Sequence, residues 1–473
     1  MYLLANAAAG PLWAKGSDIW GRKLALLVSI VSFAIASMIA ALSIDMRMLI
    51  ASRALQGIAG AGLAQLVPIT ISDLFSLRRR ALYLSFMGLM WAVAGSAGPL
   101  VGGALTEYVS WRWCFWINLP VCGVAFALLV LFLDVHNPHT SLREGVLAID
   151  WIGTGSIVTV TLLILLGLEF GGSTFPWSSP KVICLILFGT VMIAFFVYTE
   201  KRLAKYPLMP LQVFDKKSNN AVFLVAIGHT MVSIGIEYYL PLWFQSVKQT
   251  SPLRSGLLIL PLMVSEACVD VLVGLLIHRT GRYREITWVG VIFMTLGMGL
   301  YILLDAHTPI VKVIGIEIIG GVGVACLFQT PMLAIQNTVS QADTAGATAT
   351  LGFLRNLAAS FSIVLGGVVF QNSIESRHHT LATSGLSPAV LDTLTGSQAA
   401  ANLHVVKTLE ERVQRDAVKD AFAWSLRNLF GMYTSIAGVT LVASLGVRQG
   451  KMSEEHTETR TGVKEMPERK GGK

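Results

Sequence analysis

Apolar runs of roughly twenty residues, parted by short clusters of charge, recur along the whole chain. They cover 1–14, 24–43, 48–74, 82–105, 112–133, 151–170, 181–200, 221–244, 255–278, 286–304, 310–333, 347–370 and 429–447. A helix rises ~1.5 Å per residue and the hydrocarbon core of a bilayer is ~30 Å thick, so runs of this length predict spanning helices. Thirteen spans are expected. The first run is short, starts at Met1 and has its cations after it, at Lys15, instead of before it. That order is unlike a secretory signal, which has cations first and a small-residue cleavage site last. Two readings stay open for this run: a short, tilted or re-entrant helix, or a span whose upstream partner is missing.

Composition agrees with the pattern. Of 473 residues, 54% are hydrophobic and 14% charged, against about 25% charged in a soluble domain. The mean hydropathy is +0.64. The net charge of +8 is a matter of placement. Taking the gaps between spans alternately, one set with the C-terminal tail carries 22 of the 36 lysines and arginines; the other carries about half as many, half of those in the long loop 371–428. Cations collect on the cytosolic side. The basic balance therefore reads as topology and calls for no nucleic-acid partner. The five cysteines lie in apolar segments without CxxC spacing, which argues against a metal site or a disulfide framework.

Two gaps resemble each other. WAKGSDIWGRK (Trp13–Lys23) and GLLIHRTGRYRE (Gly274–Glu285) each join two apolar runs on the cation-rich side. Asp18, Gly21, Arg22 and Lys23 align with His278, Gly281, Arg282 and Tyr283. A glycine permits a tight turn, the cations hold the turn in the cytosol, and Asp18 is placed to pair with an arginine and cap a helix start. Transporters built from two related halves show such internal symmetry.

These stretches resemble the signature G-x-L-x-D-x-x-G-R-K of the major facilitator superfamily. Ala14 stands where the first glycine is usual, Gly16 where leucine is usual, and the second copy keeps Gly274, Gly281 and Arg282 but has His278 for the aspartate. LIASRALQGIAGAG (Leu49–Gly62) resembles the family's R-x-x-Q-G motif. GSAGPLVGGAL (Gly95–Leu105), with Gly95, Gly98, Pro99, Gly102 and Gly103, resembles the glycine-proline motif of its antiporter branches. Tyr238–Pro261 and Leu351–Asn372 look like the fungal fourteen-span drug:H+ antiporters. The resemblance implies an all-α membrane protein: two pseudo-symmetric helical bundles (1–134 and 220–447), two extra helices with a cytosolic linker between them (135–219), and a disordered cytosolic tail (448–473). It implies that the two signature copies, Asp18, Gly21, Arg22 and Lys23 with Gly274, His278, Gly281 and Arg282, act as conformational latches. It also implies that the family's first helix is absent from the chain, because the signature loop normally follows the second span.

Ionisable residues inside spans are functional candidates. Arg53 reads as a proton-relay partner or substrate contact, or else as an arginine snorkelling to the outer interface. Glu266 and Asp270 share one helical face. Two carboxylates so placed suit proton loading and release; the alternative is that they flank a polar cavity or pair with Arg355. Glu237 is a further proton candidate, and Glu317 a weaker one. Gln56, Gln329, Arg355 and Asn356 are candidates for lining a substrate cavity. Gly98 and Gly102 lie four apart on one face, suited to close helix packing, and Pro99 should bend its helix. Trp91, Trp111, Trp113 and Trp116 read as interface anchors. Val406, Leu409, Val413, Ala417 and Ala421 recur at helical spacing and predict an amphipathic helix lying on the outer surface before the last span.

No Walker A, HExxH or GxSxG pattern is present, so neither an ATP-driven pump nor an enzyme is expected, and no cofactor or metal. The expected function is proton-coupled export of amphipathic small molecules by a monomer in a lipid bilayer, with protons and the exported molecule as partners. The plasma membrane is the expected location and the vacuolar membrane the alternative. Two rivals remain: a vacuolar transporter of basic amino acids on the same fold, and an inactive or receptor-like truncated protein.

Overall fold

Lipid offers backbone amides no partner, so a chain this apolar crosses it as helices or as a closed barrel, and here it forms helices. The computed structural model describes residues 1–172, 174–395, 409, 411–455 and 461–463, without the side chains of Ser96, Pro99, Leu100, Ala389, Asp392 and Thr395. The long helices are α1 (Tyr2–Trp20), α2 (Arg22–Ala41), α3 (Met46–Leu74), α4 (Leu77–Tyr108), α5 (Asn118–Phe132), α6 (Trp151–Phe170), α7 (Pro180–Arg202), α8 (Lys217–Ser246), α9 (Leu260–Thr280), α10 (Arg284–Tyr301), α11 (Ile310–Phe328), α12 (Thr344–Glu375) and α13 (Arg412–Ser444). Short helices Trp113–Trp116 and Pro252–Leu258 lead into α5 and α9, and Thr330–Gln336 prolongs α11. Nine helical segments among the described residues are long and apolar enough to cross a bilayer by length and composition alone.

The helices are apolar outward and small or polar inward, the reverse of a soluble bundle. On α2, Leu24, Val28, Val31, Ile35, Met38 and Leu42 form an exposed stripe at helical spacing, while Ser29, Ala36, Ser37 and Ala40 are buried. Between membrane helices the apolar effect drives little, so close backbone approach has to supply the packing. α10 and α11 show the consequence. A Cβ on Gly297 would stand 2.6 Å from the Gly320 Cα, one on Gly290 2.6 Å from the Cys326 Cβ, and one on Gly323 2.1 Å from the Met294 amide nitrogen. Replacing Gly323 with leucine is therefore expected to force these helices apart at a cost of about 3 kcal/mol or more. The check is the monodisperse fraction and melting midpoint of the purified variant, and an unchanged midpoint would contradict this packing.

α1, α2, α3 and α5 assemble in the first half, and α8 to α13 in the second. The halves meet along two seams: α4 lies against α9, and α1 lies against α12. The second seam has an alanine-rich contact of Ala14, Ile69, Ala345 and Ala349. The extra helices α6 and α7 pack on each other, and α6 also touches both α1 and α12. Leu12, Ile157, Val160, Phe196 and Phe353 share one cluster there, so the extra pair buttresses a seam as well as linking two halves.

Four expectations need correction. The signature stretch Lys15–Trp20 is the continuous end of α1, and only Gly21 turns the chain. Asp18 pairs with Arg22 but caps nothing, since Gly21 holds the cap position of α2. The helix expected on the outer surface just before the last span is, from Arg412 on, the start of that span's own helix, and the short helices His378–Thr383 and Pro388–Thr395 lie earlier in the loop. α13 runs unbroken for 33 residues, because the buried face of Val418, Ala421, Phe422 and Leu426 continues in register into Leu429, Phe430 and Tyr433. Val413 is 70% exposed, and Val406 lies outside the described residues. Disorder was expected over 448–473; in the described part of the tail Met452 and Thr461 are buried, while Arg448, Lys451 and 453–455 are exposed.

Candidate transport pathway

The cation-rich face is closed by polar links between the halves. Arg80, 3% exposed, donates to the Gln341 Oε1 at 3.1 Å and the Gln336 Oε1 at 3.5 Å across the seam. Gln341 donates back to the Ser72 carbonyl at 3.1 Å. Lys15 at the end of α1 donates to the carbonyl of Pro207, in the linker between α7 and α8, at 3.1 Å.

The two signature copies sit at this face but differ in chemistry. In the first, the Arg22 guanidinium is buried between Asp18 and Asp73, 2.6 Å from each, and meets the Ser17 Oγ at 2.5 Å. Gly21 has φ +92°, and a Cβ there would stand 2.9 Å from Pro138. Lys23 donates to the Val130 carbonyl at 3.0 Å. The second copy has no acid at His278, whose Nδ1 lies 3.3 Å from the Arg78 carbonyl across the seam. Gly281 is left-handed at φ +66° and presses on the Arg78 side chain. Arg282 is exposed. Gly274 lies against Ser85 and the Ala81 carbonyl, so α4 and α9 touch most tightly toward this end.

Midway along the α4–α9 seam lies a polar cluster. Asp270 is 3% exposed; neither carboxylate oxygen has a partner in good hydrogen-bond geometry, and the Gln329 side chain is the donor beside it. It rests on Gly88 of α4, where a Cβ would stand 1.7 Å from the Asp270 Oδ2. Gln329 and Arg355 are its polar neighbours. Gln329 donates to the Leu84 carbonyl of α4 at 2.6 Å, and Arg355 donates to the Phe328 carbonyl at 2.7 Å. His229 completes the group: its Nε2 lies 3.0 Å from the Val324 carbonyl, and its buried Nδ1 is unpartnered. Arg355 acts on it electrostatically.

Sequence candidates divide accordingly. Asp270, Gln329 and Arg355 converge, while Asn356 is only half-buried on α12. Gln56 lies elsewhere, donating to the Ser37 Oγ at 2.7 Å and accepting from Arg53 at 2.8 Å. Arg53 also stacks on Tyr2, 4.8 Å from the ring centre, so its guanidinium ties α3 to α1. Glu266 has Glu237 and Asp270 as charged neighbours. Glu317 is wholly buried with both oxygens unpartnered, and Tyr301 beside it is equally enclosed. His229, Gly88 and Gln65, which is wedged between Gly10 and Gly352 at the other seam, were not singled out from the sequence. A histidine or a glutamine inside an apolar run is the signal that could have found two of them; Gly88 carries none.

Among the described residues the expected glycine packing is not found where the motif lies. Positions 98, 102 and 103 have nothing within 4 Å of a built Cβ, and Gly95 meets only Met263; the Pro99 side chain lies outside the described ones. Glycine rows permit close approach without enforcing it, and on α4 the close approaches to α9 fall at Ser85 and Gly88 instead.

Comparison with known proteins agrees with this architecture. The family model described as Major Facilitator Superfamily matches residues 1–363. The MFS-type transporter ppz2 of Metarhizium majus is 42% identical over 462 residues, covering 98% of this chain and 79% of the relative. The efflux pump dotC of Dothistroma septosporum is also 42% identical over 462 residues, with the same coverage. Among solved structures, the human organic anion transporter MFSD10 superposes with a TM-score of 0.56 at 15% identity, covering 92% of this chain and 82% of that one. Two helical halves meeting along two seams, the paired signature turns and this likeness together make the chain a member of the major facilitator superfamily, a multi-pass membrane transporter.

Proposed function

We propose that the protein is a proton-coupled exporter of amphipathic small molecules that works by alternating access, and that the structure corresponds to its outward-facing state. The observation that carries the reading is Asp270, a carboxyl buried where the two halves touch. A charged, unpaired carboxylate is costly in such a place, whereas a proton-bearing one is tolerated. Separating α4 from α9 would give it water, and the proton could leave. Arg355, held by the Phe328 carbonyl, is the cation placed beside Asp270. Closure at the cation-rich end supports the assignment of state. The efflux-pump names among the relatives support the direction of transport.

The test is accumulation of a fluorescent amphipathic cation in a drug-sensitive host expressing the chain, with and without a proton uncoupler. Lowered accumulation that the uncoupler abolishes is the expected result. Unchanged accumulation despite surface expression would overturn the broad-substrate exporter, and lowered accumulation insensitive to the uncoupler would overturn the coupling.

A further inference from the structure

We propose that the C-terminal tail is a strap that ties the two bundles together at the cation-rich face and slows their separation there. This inference does not depend on which substrate or ion the protein moves.

The strap leaves α13 and is fixed first to its own half. Gln449 is the peg. Its Oε1 accepts from the amides of Tyr283 and Arg284 at 3.1 and 3.0 Å, and its Nε2 donates to the Gly281 carbonyl at 2.8 Å. One side chain thus satisfies the open start of α10, which has no cap of its own, and bonds the turn of the second signature copy. Tyr283, wholly buried, donates to the Arg448 carbonyl at 3.0 Å and accepts from the Gly450 amide at 2.8 Å. The first signature copy has Lys23 at this place. A lysine could make no such buried pair of bonds, so the departure from repeat symmetry at Tyr283 has a structural use.

The strap then crosses to the other half. Glu454 pairs with Arg78 at the start of α4. Farther on, the Thr461 amide donates to the His136 Nδ1 at 3.3 Å, and its hydroxyl reaches the His136 carbonyl at 3.4 Å. The Gly462 amide donates to the Asp18 carbonyl at 2.7 Å, and Val463 packs against Ile19, Ala148 and Tyr206. Gly462 has φ +121°, and a Cβ on it would stand 2.8 Å from Pro138, so this seat admits glycine alone. One tail is therefore bonded to both signature copies, at Gly281–Arg284 in the second half and at Asp18 in the first.

If the bundles part at this face, Gln449 and Tyr283 travel with α13, so the contacts that must break are those to Arg78, His136 and Asp18. These are few. The Arg78–Glu454 pair is exposed, at 28% and 71%, where ion pairs are weak. A strap of this kind biases the equilibrium without locking it.

The experiment uses the full chain in lipid nanodiscs, with spin labels on cysteines introduced at Arg79 and Arg279 in a background free of native cysteines, and reads the distance distribution between the two cytosolic ends. Glu454→Lys, Arg78→Glu and Gly462→Val are each expected to raise the population of the longer, cytosol-open distance, by up to about fivefold for the ion-pair variants. Combining Arg78→Glu with Glu454→Lys is expected to bring it back toward the starting value. That rescue separates a lost contact from a damaged fold. Distributions identical to the parent in all three single variants would overturn the proposal. So would an opening in the charge variants that the double variant fails to reverse.

Discussion

Arg22→Ala is expected to cost the fold about 3–5 kcal/mol, among the largest losses available from one substitution on the cation-rich face. The guanidinium is 3% exposed and lies 2.6 Å from both Asp18 and Asp73, whose side chains are 21% and 8% exposed. Removing it leaves two carboxylates facing a gap from which water is largely kept. Most of the cost comes from those stranded charges and little from the lost pair as such. Arg22→Lys should recover only part of it, because an ammonium is a point charge and cannot fork between two acids. Asp73→Asn added to Arg22→Ala should recover more than additivity allows. Melting midpoints of the parent, Arg22→Ala, Asp73→Asn and the double variant provide the cycle. A parent and Arg22→Ala that melt together would mean that the triad contributes nothing.

Asp270→Asn is expected to lower pH-gradient-driven export at least tenfold, equivalent to about 1.4 kcal/mol in the barrier, while leaving the protein folded and at the membrane. Asparagine keeps the shape that rests on Gly88 but cannot gain or lose a proton there. Glu266→Gln is the comparison: Glu266 lies one turn away, with Glu237 and Asp270 as its charged neighbours. If Asp270→Asn still exports at the normal gradient-dependent rate and Glu266→Gln does not, the coupling carboxyl is Glu266. Gly88→Val probes the same contact from the other side. It is expected to prevent α4 and α9 from closing, because its Cβ would occupy the place of the Asp270 Oδ2.

Membership of the superfamily, the helical architecture and the side bearing the cations were legible in the sequence because each depends on local or periodic features. Twenty apolar residues make a span wherever they fall, and lysines and arginines mark a side by their number. The alignment of Gly21 with Gly281 exposed the two-fold repeat. The aligned letters did not disclose that the two copies differ in chemistry. Asp18 and Arg22 form a buried triad only because Asp73, fifty residues on, is brought beside them by α3. Tyr283 reads as a stray aromatic until Gln449 and Gly450 arrive from the far end of the chain.

The glycines show the same division. The motif around Gly98 and Gly102 stands out in the sequence, yet among the described residues no other helix comes within 4 Å of where a Cβ on either would stand. Gly88, Gly228, Gly321 and Gly323, which belong to no motif, are among the places where backbones or side chains from other helices come closest. Glycine composition states where approach is permitted; the crossing of helices decides where it happens. Asp270 and Glu266 likewise share a face by spacing alone, but only the meeting of α4, α9, α11 and α12 gives Asp270 its place at the seam, with Gly88 beneath it and Gln329 and Arg355 beside it. Spans, sidedness and repeat follow from short-range periodicity and charge. Ion triad, seam and strap depend on which distant segments touch, and in a bundle held by shape more than by an apolar driving force that is settled by tertiary packing.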